Sequence, residues 1–175
     1  VNQFWLCGYI FDGYIYIHDM KDRLDGVNCC LADIGNILKN GFECGNMWYT
    51  EPNSLDVAFD VISDIAMSMA AQQYGGYTIP EVDKILAPYA EKSYKKYYQE
   101  YYDIMSDIEN IDGVWLDCMS NVNFDKNAEE YATKKVYRDF EQGFQSWEYR
   151  FNTVGSSRGD YPFIATSFGI GSGKF

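Results

Sequence analysis

The chain has 175 residues, and its 26 acidic against 14 basic side chains give a formal net charge of −12. That balance argues against a phosphate-backbone binder, because nucleic-acid affinity rests on clustered Lys and Arg, and the one noticeable basic cluster (Lys92, Lys95, Lys96) is diluted by Glu91 and Glu100 and reads as a solvated helix face. Five cysteines is an odd number without C-x-x-C spacing, which disfavours a zinc ribbon or disulfide scaffold and fits a reducing cytosol, and no apolar run approaches the ~18 residues of a membrane span.

A chain of this length is ordinarily one domain able to bury a real core. It starts at Val1 inside sequence that already reads as structured, with no secretory signal pattern, so a fragment or excised domain is expected. Val1 to Ile10 shows no clear period. Phe11-Asp12-Gly13 reads as a turn, and Tyr14 to Ile17 alternates aromatic and β-branched residues as a half-buried strand does, stopping at the chain's single histidine, His18. Asp19 to Gly26 is a charged connection. Cys29 to Leu38 begins as a short buried strand and continues as a helix that stops at Asn40-Gly41. Phe42 to Tyr49 reads as a loop carrying Cys44 and Trp48.

Pro52-Asn53-Ser54 starts the clearest helix, about 54–74. Leu55, Ala58, Phe59, Ile62, Ile65, Ala66, Met69 and Ala70 recur at three- and four-residue spacing, opposite Asp56 and Asp60. Asn53 or Ser54 is its expected cap, Asp56 suits the positive end of its dipole, and Gly75-Gly76 ends it. Thr78-Ile79-Pro80-Glu81 spells a capping box with proline in the first turn, predicting a second helix over about 80–104, kinked at Pro88. Its tyrosines (Tyr94, Tyr97, Tyr98, Tyr101, Tyr102) predict packing against a neighbouring helix, in this or another subunit. Asp107 to Lys126 reads as a loop. A third helix is predicted from Ala128 to Arg150, with Val136, Phe140, Phe144 and Trp147 as its buried stripe. Gly155 to Asp160 is a turn, and Pro162 to Phe168 a second buried strand. Strands separated by long helices make this α/β, with a sheet that these strands alone do not complete.

Several motifs bear on chemistry. Cys29 and Cys30 are adjacent, and neighbours on a strand face opposite sides, so only one sulfur points into a given cavity. A buried free cysteine is as often a small hydrophobe as a reactive group. His18 at a strand end either hydrogen-bonds a substrate oxygen or is structural; spacing leaves both open. The tail Gly169-Ile170-Gly171-Ser172-Gly173-Lys174-Phe175 fails as a phosphate loop, because Phe168 stands where glycine is needed and Phe175 where Ser or Thr is needed. No Ser-His-Asp triad can be argued, and one histidine is too few for most metal sites.

An ordered set of segments resembles the anaerobic (class III) ribonucleoside-triphosphate reductases, the glycyl-radical ribonucleotide reductases. It comprises Gly13-Tyr14-Ile15-Tyr16-Ile17-His18-Asp19, Asn28-Cys29-Cys30-Leu31, Pro52-Asn53-Ser54, Gln73-Tyr74-Gly75-Gly76-Tyr77-Thr78-Ile79, Leu86-Ala87-Pro88-Tyr89, Ser93-Tyr94-Lys95-Lys96-Tyr97, Glu148-Tyr149-Arg150-Phe151-Asn152-Thr153, Pro162-Phe163 and Phe168-Gly169-Ile170-Gly171. The resemblance implies the N-terminal part, 1–175, of a ten-stranded α/β barrel of the ribonucleotide reductase type, dominated here by long helices, with helices 54–74 and 80–104 at a homodimer interface. It implies that Cys29 donates hydrogen to the ribose as the 2′-hydroxyl leaves, while Cys30 points away. His18, Asn28 and Asn152 match substrate-pocket positions. Asn53, Asp64 and Lys96 match positions that bind a deoxynucleoside triphosphate or ATP effector; Asp64 stands where glutamine is usual, and Gly159-Asp160-Tyr161-Pro162-Phe163 departs from the Gly-Gln-Thr-Pro-Phe form of some members.

The same resemblance implies a glycyl radical installed by an iron–sulfur/S-adenosylmethionine activating enzyme, and a structural zinc. The residues for these, with the thiyl-bearing finger-loop cysteine, are not among the 175, so this chain is expected to be inactive alone, cytoplasmic as part of its enzyme, and neither DNA- nor membrane-bound. The competing expectation is a non-catalytic nucleotide-binding or dimerisation remnant; retention of Asn28-Cys29 with His18 favours the enzyme.

Overall fold

The computed structural model describes residues 29–44, 46–71, 75–107, 124–153 and 163–169, with 15–18 and 108–111 as backbone. The elements in order are β1 (Ile15–His18), β2 (Cys29–Ala32), α1 (Ile34–Asn40), β3 (Phe42–Cys44), β4 (Met47–Tyr49), α2 (Leu55–Ala70), β5 (Tyr77–Ile79), α3 (Val82–Ile111), α4 (Phe124–Thr153) and β6 (Ile164–Thr166). β1, β2, β5 and β6 form one sheet in that spatial order. β1 runs antiparallel to β2, whereas β2, β5 and β6 are parallel. Parallel neighbours need long crossovers, and α2 and the α3–α4 pair supply them.

The helices cover one face of the sheet. Cys30 and Ala32 on β2, and Tyr77 and Ile79 on β5, are buried there with Ile34, Leu38, Leu55, Phe59, Ile62, Val82 and Leu86. The alternate residues Cys29, Leu31 and Thr78 are only half-buried, and Ala165 on β6 is exposed. Strand periodicity thus splits the sheet into a packed face and an open one.

The predicted mixed α/β order, with long helices dominant, is what the chain forms. The strand at His18, the strand-to-helix passage after Cys29 and the stop at Gly41 are found as expected. Asp33 caps α1, its carboxylate accepting from the Asn36 amide at 3.2 Å. Gly41 has φ 75°, and a side chain there would collide with the Tyr49 carbonyl.

Other boundaries differ. Phe42 to Tyr49 is a β-hairpin (β3–β4), not a loop; the Phe42 and Tyr49 rings stack at 4.7 Å and hold it closed. The α2 helix ends at Ala70, short of the expected 74. Ser54 occupies its N-cap position but makes no capping bond; the Leu55 amide instead donates to Ser93 Oγ of α3 at 2.8 Å.

The Thr78–Glu81 capping box is not formed. Thr78 lies in β5, Glu81 has φ 46°, and α3 begins only at Val82. The freed amides are taken up by the segment after β6: Glu81 N–H donates to Ser167 Oγ (3.0 Å) and Val82 N–H to the Ser167 carbonyl (2.9 Å). Helix α3 continues through Pro88 to Ile111, past the expected 104, and α4 extends over 124–153 rather than 128–150.

The tyrosines of α3 meet α4 of the same chain. Tyr97 donates to Asp139 at 2.7 Å, Tyr98 and Tyr102 both donate to Asp125, and Tyr131 of α4 donates to Glu100. The stripe on α4 is uneven: Trp147 is buried, Val136 and Phe140 partly so, and Phe144 is exposed though its ring meets Phe59. Strand β6 is present but not buried, because it has the sheet edge on one side and the open face above it. The expected turn at 155–160 lies outside the described residues. No helix among the described residues is long and apolar enough to cross a membrane.

Candidate active site

Strand β2 sorts its two thiols. Cys30 pairs with Tyr77 on the packed face, is 5% exposed, and burial together with the neighbouring Cys29 pushes its pKa up to about 12. Its sulfur therefore stays protonated near neutrality, and thiol reactivity follows the thiolate. Cys29 is half-buried on the open face. In the β1–β2 ladder its direct partner is His18.

Other backbone positions continue this level of the sheet. Cys30 N–H donates to the Gly76 carbonyl at 3.2 Å, and Tyr77 N–H to the Phe163 carbonyl at 2.8 Å. Thr78 is the open-face residue next along β5, paired with Leu31 and with Ala165.

The remaining site residues from the sequence fall into groups. His18 is described by its backbone only, and Asn28 lies outside the described residues. Asn152 is exposed on the last turn of α4, where its side-chain amide donates to the Glu148 carbonyl of its own helix at 2.7 Å. It is thus tied to α4 by a bond of its own, whatever it faces.

Asn53 and Lys96 come to one end of the helical layer. Asn53 is exposed just ahead of α2, and the start of α2 is pinned to α3 through Ser93 and through Lys92, whose Nζ donates to Glu51 (2.7 Å) and to the Pro52 carbonyl (3.1 Å). Burial works against the charged Asp56 carboxylate, but hydrogen bonds from Ser54 and the Val57 and Asp56 amides, with Lys96 nearby, outweigh it and lower its pKa. Lys96 itself is exposed, its ammonium 5.7 Å from the Tyr97 ring centre. Asp64 is eight residues beyond Asp56, ~12 Å along the helix at 1.5 Å per residue. It faces α4 instead, where Arg150 Nη1 reaches it at 3.1 Å while also contacting Ser63 and the Asp60 carbonyl. Asn53, Lys96 and Asp64 therefore do not form one cluster within this chain.

Sequence reading missed Ser93, Arg150, Gly76 and Phe163. A serine inside one helix gives no sign that it caps another. Arg150 sits at the end of an amphipathic pattern where a basic residue is ordinary. Spacing gives Gly76 as a helix stop and Phe163 as part of a buried strand. Among the described residues no group of His, Cys, Asp and Glu is placed to hold a metal ion. Among the described residues a surface depression lined by Lys126, Glu130, Lys134 and Tyr137 lies on α4 and does not include Cys29.

Residues 7–174 match the profile of the anaerobic ribonucleoside-triphosphate reductase family. A protein named anaerobic ribonucleoside-triphosphate reductase in Enterobacteria phage T4 is 35% identical over 162 residues, covering 91% of this chain and 24% of that protein. Proteins of the same name in Haemophilus influenzae and Escherichia coli K12 are 32% and 31% identical, again over 91% of this chain and 20% of theirs. The chain thus spans between a fifth and a quarter of the length of the curated relatives it matches.

Proposed function

This chain belongs to the anaerobic ribonucleoside-triphosphate reductase family, and on that premise we propose that it forms the part of such a reductase that carries the hydrogen-donating thiol. The observation that carries the reading is the position of Cys29: a half-buried thiol on the sheet face the helices leave open, paired in register with His18. The open face is then the inner wall of a ten-stranded barrel, and the remaining strands come from the rest of the enzyme.

The net reaction removes the 2′-hydroxyl of a ribonucleoside triphosphate as water and takes two electrons and two protons from an external reductant. Cys29 gives a hydrogen atom to the sugar, a role for which an S–H bond is suited because its exchange with a carbon-centred radical carries little energy penalty. Cys30, on the packed face, has no part in it. His18, Asn28 and Asn152 are assigned to hold the substrate, His18 by its register with the thiol. The radical itself, a glycyl radical raised by an iron–sulfur/S-adenosylmethionine activating enzyme, and the structural zinc are assigned to other parts of the enzyme.

Asn53, Lys96 and Asp64 are assigned to a deoxynucleoside triphosphate or ATP effector. Since Asp64 points to α4, away from Asn53 and Lys96, a second copy of the chain supplies one part of that site and the enzyme works as a cytoplasmic homodimer. The test is reduction by the full-length reductase carrying Cys29→Ser or Cys30→Ser. Only the first is expected to abolish deoxynucleotide formation; turnover by the Cys29→Ser enzyme would overturn the assignment.

A further inference from the structure

Cys29 does not stand alone on the open face. Leu31, Thr78 and Ala165 are paired in one row across β2, β5 and β6. The ladder bonds from Cys30 to Gly76 and from Tyr77 to Phe163 set Cys29, Gly76 and Phe163 in the adjoining row. Adjacent strands are ~4.8 Å apart, so the backbones of Cys29 and Phe163 stand ~10 Å apart with Gly76 between them.

Packing does not demand a glycine at that middle position. A Cβ at Gly76 would lie 3.5 Å from the Phe163 carbonyl oxygen and 3.9 Å from the Phe163 Cβ, ordinary contact distances, and Gly76 does not adopt positive φ. What its missing side chain does is leave a slot floored by backbone, with a thiol on one side and a phenyl ring on the other. That ring is 80% exposed, a costly placement for a large apolar group unless something covers it.

Resting on the reading of Cys29 as hydrogen donor, we propose that Gly76 and Phe163 are positioning residues for the substrate nucleoside. The furanose lies over Gly76 with its carbons toward the Cys29 sulfur, and the base stacks on Phe163. The dimensions agree, since a ribose fills the space nearest the thiol and places its base about one strand further on. A phenyl face accepts any base, so Phe163 sets affinity and orientation rather than base choice.

The test follows the iodoacetamide modification of Cys29 in the full-length reductase by mass spectrometry, with Cys44 of the same molecule as reference. Gly76→Val is expected to slow Cys29 roughly tenfold by closing the slot while leaving Cys44 unchanged; a Cys29 rate unchanged in that variant overturns the slot. A saturating ribonucleoside triphosphate is expected to protect Cys29. Phe163→Ala should then raise the protecting concentration about tenfold, and Phe163→Tyr should restore it. Protection indifferent to Phe163→Ala overturns the stacking role while the assignment of Cys29 survives. Wild-type Cys29 left unprotected by nucleotide in a sample where Gly76→Val still shields it removes the nucleoside reading itself, and this inference with it. In a misfolded variant Cys44 and buried Cys30 would speed up as well, which separates collapse from a filled slot.

Discussion

Gly143 of α4 lies directly against the ring of Phe59 of α2, so close that a methyl group on Gly143 would overlap the ring carbons. The absent side chain lets the two helices approach and lets Phe59 sit among Phe140, Phe144 and Trp147, with edge contacts at 6.1, 5.1 and 4.8 Å. In an exposed helix, Gly→Ala stabilises by about 1 kcal/mol. Here the overlap has to force the helices apart, and overpacking costs about 1–3 kcal/mol. Gly143→Ala is therefore expected to lower the melting temperature, the reverse of the propensity effect. A rise would show that the helices relax freely at this point.

The start of α2 gives a second prediction. Ser93 is 1% exposed, and its hydroxyl receives the Leu55 amide from a helix 38 residues away in sequence. Ser93→Ala leaves that amide without its acceptor in a buried place, at a cost of about 1–3 kcal/mol. Ser54→Ala, the change that sequence reading marks as the cap mutation, should cost only a few tenths of a kcal/mol beyond its effect on Asp56. Urea unfolding of the two variants decides between the two caps.

These two contacts show where the sequence was legible and where it was not. Apolar spacing located α2 and α4 because one buried stripe fixes a helix whatever it packs on. The pattern at Cys29-Cys30 puts the two sulfurs on opposite faces, as found, because strand alternation is a local rule; which of the two is buried is not legible from alternation. The capping box at Thr78 failed because β5 needed Thr78 and Ile79 for pairing with β2 and β6, and Ser167, 86 residues downstream of Glu81, supplied the missing acceptor. Apolar composition marks the strand around Phe163 as buried, although a strand at a sheet edge leaves one of its faces uncovered. Long-range partners of this kind leave no mark at the position that uses them.

Tyr77 yields a third prediction. It is fully buried beside Cys30 on the packed face, and among the described residues its hydroxyl has no hydrogen-bond partner. A buried hydroxyl without a partner costs about 1–3 kcal/mol. Tyr77→Phe keeps the ring and removes the cost, so it is expected to raise stability by about 1 kcal/mol in a denaturation experiment. A loss of similar size would mean that a bound water or a residue outside the described set satisfies that oxygen.

Cys30 makes the stability of the fold depend on alkaline pH. Burial raises its pKa from 9.0 to about 12, so between those values the unfolded chain releases a proton that the folded chain keeps. The unfolded state then binds fewer protons, and stability falls as pH rises, with a limiting slope of about 1.4 kcal/mol per pH unit. Below about pH 9 the contribution is complete; above about pH 12 it is gone. Burial raises the Tyr77 hydroxyl as well, which steepens the loss only beyond pH 10. The window between pH 9 and 10 therefore belongs to the thiol. Cys30→Val should flatten unfolding free energy there without altering it at pH 7 by more than the exchange of a small buried group. A slope that survives Cys30→Val would place the titrating group elsewhere in the chain and remove the packed-face position assigned to this sulfur.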